Sequence, residues 1–162
     1  MIFVIIILGI LIDRMTKLWA LESLRGNDAI IIIKNFFSFD YLENRGAAFG
    51  MLQGRVSLLT IVTSFVILGM IYYLIKYKPK SKIMALGLGM IISGAIGNLY
   101  DRVVYEYVVD FILLHYKDVY YFPTFNIADM LVVCGTALMA IFILKEDING
   151  QNWTCSWNWI SK

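Results

Sequence analysis

Twenty consecutive residues, Val56 to Ile75, carry no charge, and Arg55 and Lys76 close the run at its two ends. A helix needs about 20 apolar residues to cross the hydrocarbon core of a bilayer, so this run predicts a membrane span. Ile83 to Tyr100, between Lys82 and Asp101, predicts a second. A third stretch begins near Tyr120 and ends at Leu144, interrupted only by Asp129. Met1 to Ile12 is too short alone and spans only if its helix continues through Asp13, Arg14 and Lys17 to about Leu21. It has neither a basic leader nor a small-residue cleavage site, which argues against a signal peptide. The reading is therefore four spans in one domain over residues 1–148, with no internal repeat. Composition agrees: 60% of residues are hydrophobic and 16% charged, against about 25% charged in soluble domains. A net charge of +2 is too small for a nucleic-acid footprint. Two cysteines, Cys134 and Cys155, are too few for a disulfide framework or a four-ligand zinc site.

Lysines set the orientation. Lys76, Lys78, Lys80 and Lys82 crowd the short connection between the second and third spans, which marks it as cytoplasmic. Both termini are then cytoplasmic, and segments 22–55 and 103–121 lie outside. In the first of these, Ala29 to Ile33 is rich in β-branched residues. Beyond it, Phe37, Phe39 and Tyr41 alternate with Ser38 and Asp40, which reads as strand. Asn44-Arg45-Gly46 supplies a turn. The expected fold is a membrane all-α bundle of four transmembrane helices with a small extracytoplasmic β-sheet and a short surface helix or loop. On the third span Ala85, Gly89, Ser93 and Gly97 recur every four residues, a small-residue face that admits another helix closely. The tail 149–162 holds Trp153, Trp157, Trp159 and Cys155; a place along the inner membrane surface would suit its tryptophans, but no role follows from sequence.

Ionisable residues at membrane depth are costly, roughly 2.5–3.5 kcal/mol for Asp or Lys at mid-helix, so each asks for a reason. Asp13 and Lys17 stand four apart, acid before base, the order that favours an ion pair on one helix face. They read as a structural pair or an outer anchor that supports a site. Asn126 and Asp129 share a face at the start of the last span. That motif fits a helix cap with a dipole-complementing acid as well as it fits a site. Asp110 lies among apolar residues after the third span, either reaching water or buried. Asn98 and Arg102 share a face at the outer end of that span. Arg102 there suits a carbonyl, a lipid head group, Asp101 or simple anchoring. Asn44 opens a Gly- and Ala-rich segment running to Gly50, a plain turn or a place where an exposed amide bonds a peptide. The single histidine, His115, gives no zinc-protease motif, and no Gly-x-Ser-x-Gly occurs. Cys134 reads as a packing residue. All four polar clusters that follow the first span fall at predicted outer ends, so they can meet at one depth.

Taken in order, these blocks resemble those of lipoprotein signal peptidase, or signal peptidase II, a bacterial four-span aspartyl endopeptidase. The blocks are Asp13-x-x-x-Lys17, Asn44-Arg-Gly-Ala-Ala-Phe-Gly50, Gly97-Asn98-x-x-Asp101-Arg102, Val108-Val109-Asp110-Phe111 and Phe125-Asn126-x-Ala128-Asp129. The likeness runs from Asp13 to about Leu144 and leaves out the tail. It implies that Asp110 and Asp129 are a catalytic dyad, that Asn44, Asn98, Arg102 and Asn126 bind substrate, and that Asp13, Lys17, Gly46, Ala47, Asp101 and Ala128 support them. It also implies a substrate, the prolipoprotein signal peptide, cut just before a diacylglyceryl cysteine. Other implied partners are membrane lipids and peptide-type inhibitors. No metal, cofactor or nucleic acid is expected, and the enzyme would be a monomer in the bacterial cytoplasmic (inner) membrane with its site near the outer face. Two close carboxylates in a low-dielectric site do not both ionise easily, which suits acid–base hydrolysis. A small proton-coupled transporter or channel subunit is the alternative that intramembrane Asp13, Lys17 and Asp129 allow. The two-aspartate Gly-x-Gly-Asp protease signature fails, because Met90 follows Gly89.

Overall fold

The computed structural model describes residues 2–47, 51–79, 81–117 and 119–148. The tail 149–162, Ala48, Phe49, Gly50 and Lys80 lie outside the described residues. Among the described residues four long helices form: α1 (Ile2–Ser23), α2 (Val56–Tyr77), α3 (Lys82–Tyr105) and α4 (Ile127–Ile148). Three of them, α2, α3 and Ile127–Lys145 of α4, are long and apolar enough to cross a membrane. Helix α1 matches α2 in length but carries Asp13, Arg14 and Lys17.

Helix α3 is the centre of the bundle and packs against α1, α2 and α4. The reason is its small residues. A Cβ on Gly89 would press on Ile5 of α1, and one on Gly97 would collide with the Asp13 carboxylate. Ser93 lies where a Cβ on Gly9 of α1 would fall. The expected stripe therefore admits α1. A second small face, Gly87 and Gly94, admits α4: Gly94 abuts the Ala128 carbonyl, and Gly135 abuts that of Gly87. Helix α2 buries only Ile67 among its residues, and Phe65 is 70% exposed.

The sheet is antiparallel in the order β1 (Ile30–Ile33), β2 (Phe37–Asn44), β3 (Val108–Tyr116), β4 (Tyr120–Tyr121). Its core cluster of Val109, Phe111 and Ile112 rests on Ala20 and Leu24 at the end of α1. In segment 103–121, α3 continues to Tyr105, Glu106 turns the chain at φ 62°, and β3 and β4 follow. The apolar run from Tyr120 is not helical throughout: α4 starts at Ile127, directly after Asn126, as the cap reading of that residue implies. Pro123 lacks an N–H and disfavours helix before it, so residues 120–125 stay extended and Phe125 bridges Ile112. Residues 51–54 form turns.

The β2–β3 register slips once. Phe39 faces Ile112, but Leu42 faces Asp110 and Asn44 faces Val108. Three steps along β2 match two along β3, the signature of a bulge. An unbroken ladder would set Tyr41 against Asp110 and Glu43 against Val108. The plain alternation expected from sequence is thus interrupted between Phe39 and Leu42, ahead of Asn44.

Candidate active site

Asp110 sits in the stretch of β3 that is buried on both faces and has no solvent exposure itself. Its two oxygens take one amide each. Asn44 Nδ2 donates to Oδ2 at 2.8 Å, and Asn126 Nδ2 donates to Oδ1 at 2.6 Å. Burial, followed by the nearby charge of Asp129, pushes the Asp110 carboxyl up from its ordinary 3.8 to about 7, against the pull of the two amide donors.

Asp129 stands in the first turn of α4, where Asn126 is the residue before the helix. The two exchange bonds: the Asp129 N–H donates to Asn126 Oδ1 at 2.9 Å, and the Asn126 N–H donates to Asp129 Oδ2 at 3.2 Å. This is a capping box, with the Asn–Asp pair in place of the usual Ser–Glu. Asp129 Oδ1 accepts from Asn98 Nδ2 at 2.7 Å. The amide of Asn126 therefore has two jobs. Its oxygen caps α4 and its nitrogen holds Asp110, with further donation to Asn98 Oδ1 and the Val109 carbonyl. Its side chain is fully enclosed.

Each of the three asparagines has its amide oxygen pinned by an N–H donor, which aims its nitrogen at a carboxylate. Gly46 N–H pins Asn44 at 2.9 Å, Asp129 N–H pins Asn126, and the Lys17 ammonium pins Asn98 at 2.9 Å. Gly46 is needed for close approach, since a Cβ there would strike the Met51 carbonyl. Ala47 N–H closes the same turn on that carbonyl at 2.7 Å.

Behind the asparagines lies a buried ionic cluster. Lys17 Nζ is 3.0 Å from Asp13 Oδ2 and 2.9 Å from Asp101 Oδ2, all three groups at most 1% exposed. Asp101 pairs with Arg14 at 2.6 Å, not with Arg102, because neighbours in sequence point apart around a helix. Arg14 is the residue that sequence reasoning passed over; its guanidinium lies 4.9 Å from the Tyr100 ring centre and 5.6 Å from that of Tyr105. The available signal was a charge at span depth beside Asp13. Ala128 is buried, and its N–H donates to Asp13 Oδ1 at 2.9 Å.

A cavity of about 690 Å³ opens beside these groups, with Asn44, Asn98, Arg102 and Asp129 among an otherwise largely apolar lining. Arg102 donates to the Gly46 carbonyl at 3.3 Å and so ties α3 to the turn after β2. Gln53 and Thr63, unassigned from sequence, also line it, as does Cys134, which is exposed and not packed in the bundle. His115 stands apart, stacked on Tyr121.

The chain is similar to known proteins. A family model described as signal peptidase (SPase) II matches residues 5–145. The chain is 64% identical over 142 residues to the lipoprotein signal peptidase of Clostridium novyi, covering 88% of this chain and 96% of that protein. It is 54% identical over 143 residues to the lipoprotein signal peptidase of Clostridium acetobutylicum, covering 88% and 93%. Among solved structures it resembles a bacterial membrane enzyme determined by the in meso method at 2.3 Å resolution, with a TM-score of 0.80, 30% identity and coverage of 91% of this chain and 90% of that one.

Proposed function

The chain belongs to the signal peptidase II family, aspartic proteases that remove signal peptides from prolipoproteins, and from that premise we propose that Asp110 and Asp129 are its catalytic dyad. The transporter alternative falls with the family assignment. The observation that carries the dyad is Asn126, which grips both carboxylates with one side chain and its own N–H, behind the cavity that Asp129 lines.

The buried Asp110 holds the proton, and Asp129, at a helix N-terminus and bonded by Asn98, carries the charge. Asp129 takes a proton from a water, whose oxygen attacks the scissile carbonyl carbon. Asp110 gives its proton to the carbonyl oxygen. The tetrahedral diol then collapses: Asp129 passes its proton to the departing amine, and a diol hydroxyl returns a proton to Asp110. The products are one carboxyl and one amine, and the dyad is restored. Because Asn44 covers Asp110, the peptide displaces the Asn44 amide, which then bonds the peptide. Asn98 and Arg102 meet the substrate from the cavity wall, while the enclosed Asn126 orients the dyad.

The cut falls just before a cysteine bearing diacylglycerol, whose acyl chains stay in the bilayer and hold the scissile bond at the depth of the dyad. Helix α1 serves as the fourth span. Its Phe3 and Met15 are at least 70% exposed, whereas Asp13 and Lys17 are turned inward, so its outer face is apolar. Lys76, Lys78 and Lys82 flank the α2–α3 connection and support a cytoplasmic placement, with both termini on that side and the site at the outer face of the inner membrane. The enzyme works as a monomer, and peptide-type inhibitors occupy the same cavity.

The test is cleavage of a diacylglyceryl prolipoprotein beside its unmodified form. Wild type cuts only the first, and Asp110→Asn and Asp129→Asn cut neither while still inserting. Cleavage by either variant removes the dyad assignment.

A further inference from the structure

The Lys17 ammonium has three N–H donors, and the fold spends all three on groups that lead to the dyad. One meets Asp13 Oδ2 at 3.0 Å, one Asp101 Oδ2 at 2.9 Å and one Asn98 Oδ1 at 2.9 Å. Each partner then reaches a different part of the site. Asp13 accepts the N–H of Ala128, the residue just before Asp129, at 2.9 Å. Asp101 accepts the N–H of Val109, the residue just before Asp110, at 3.2 Å. Asn98 donates to the Asp129 carboxylate itself. The two strands of this support are alike: a buried carboxylate holds the backbone one step ahead of each dyad aspartate, and one ammonium holds both carboxylates.

We propose that Lys17 is a positioning residue for the reaction: its ammonium is a three-armed brace that fixes the spacing of Asp110 and Asp129 and the orientation of the Asn98 amide. The brace rests on the dyad reading above and deepens it. An ion pair alone needs one arm. Arg14 already pairs with Asp101 at 2.6 Å, so charge balance there does not require Lys17. The arm to Asn98 has no role in charge balance at all, because an amide is neutral. Its consequence is directional. A donor-only group at Asn98 Oδ1 leaves Nδ2 facing Asp129; without it the only other donor to that oxygen is Asn126 Nδ2 at 3.2 Å, already shared with Asp110, and an amide held that loosely can turn its oxygen toward the carboxylate and repel it.

The test uses the full-length enzyme in lipid nanodiscs and a fluorogenic diacylglyceryl prolipopeptide. Lys17→Met keeps the length of the stem and removes the ammonium. Its kcat is expected to fall by about 30-fold or more, the scale of one charge-assisted hydrogen bond lost at the reacting centre, with KM within about threefold of wild type. The double variant Lys17→Met with Asp13→Asn removes the carboxylate left unpaired. It is expected to recover thermal stability and to keep the low kcat. Recovery of kcat along with stability would show that Lys17 only balances charge and would overturn the brace. Wild-type kcat in Lys17→Met overturns it equally. So does failure of both variants to fold, which would make Lys17 a residue of the bundle alone. Asp110→Asn and Asp129→Asn are run in the same assay: if they cleave, the dyad reading is the one that fails, whatever Lys17 does.

Discussion

Asn126 offers the sharpest separation of stability from chemistry, because its two amide ends serve different masters. The oxygen accepts the Asp129 N–H at 2.9 Å and caps α4, and the nitrogen donates to Asp110 at 2.6 Å. Asn126→Ser keeps a capping oxygen and loses the amide nitrogen that reaches Asp110. Asn126→Ala loses both. A cap is worth about 1 kcal/mol, so the serine variant should be the more stable of the two by about that amount. The bond to Asp110 is enclosed and becomes charge-assisted as Asp110 gives up its proton, where it is worth about 1.5–3 kcal/mol. Fully expressed in the transition state, that loss lowers kcat by about 10- to 100-fold, and by the same factor in both variants. The assay pairs initial rates on a diacylglyceryl prolipopeptide with thermal midpoints in detergent. Wild-type kcat in Asn126→Ser refutes the reasoning. So does a set of rates that simply follows the midpoints, since activity would then report the cap and not the grip on Asp110.

The other predictions come from Asp110 and from the helix contacts. The folded chain keeps the Asp110 proton up to about pH 7, while the ordinary value is 3.8. Between those limits the folded state binds a proton that the unfolded state has lost, so stability is greatest below pH 4 and falls as pH rises through 7, by on the order of 4 kcal/mol from this group. Thermal midpoints across pH 4–8 should show that decline in wild type and a flatter profile in Asp110→Asn; equal slopes refute it. The same proton predicts that kcat/KM declines above about pH 7 as the dyad loses its last proton, the apparent value belonging to the pair; a rate level to pH 9 counts against Asp110 as the acid. Gly97→Ala drives a Cβ into the Asp13 carboxylate and should cost about 1–3 kcal/mol together with activity. Gly69→Ala meets nothing within 4 Å and should be neutral or stabilising by up to about 1 kcal/mol. Matching melting shifts for the two would refute the packing argument.

Charge was what made this chain legible. Uncharged runs locate α2, α3 and most of α4, and the few ionic groups near one end of each point to the candidate site. The apolar run from Tyr120 overshoots the start of α4, because apolar content alone does not separate extended residues 120–125 from helix; the cap at Asn126 and Pro123 do. Strand β3 was hidden for a related reason: Val108 to Ile112 is buried on both faces, so no alternation exists to read. For Asn126, cap and site stand as rival readings in the sequence, yet an amide has two ends: one caps α4 while the other bonds Asp110. Asp101 offered several cations nearby in sequence, and only the packing of α1 on α3 selects Arg14 and Lys17. Contacts between distant elements, such as Asp13 with Ala128, lie beyond any local pattern.

The bulge in β2 also says where this strand tolerates changes in length. Phe39 faces Ile112 and Leu42 faces Asp110, with two residues, Asp40 and Tyr41, opposite one. Deleting one of those two would restore an even ladder and leave Asn44 in its seat opposite Val108. A deletion or insertion between Leu42 and Asn44 has no such buffer. It would bring Arg45 or Glu43 to that seat, a cation or a third carboxylate beside Asp110 where an amide belongs. Among homologues, length variation in this strand should therefore gather at Asp40 and Tyr41, with the count from Leu42 to Asn44 held fixed.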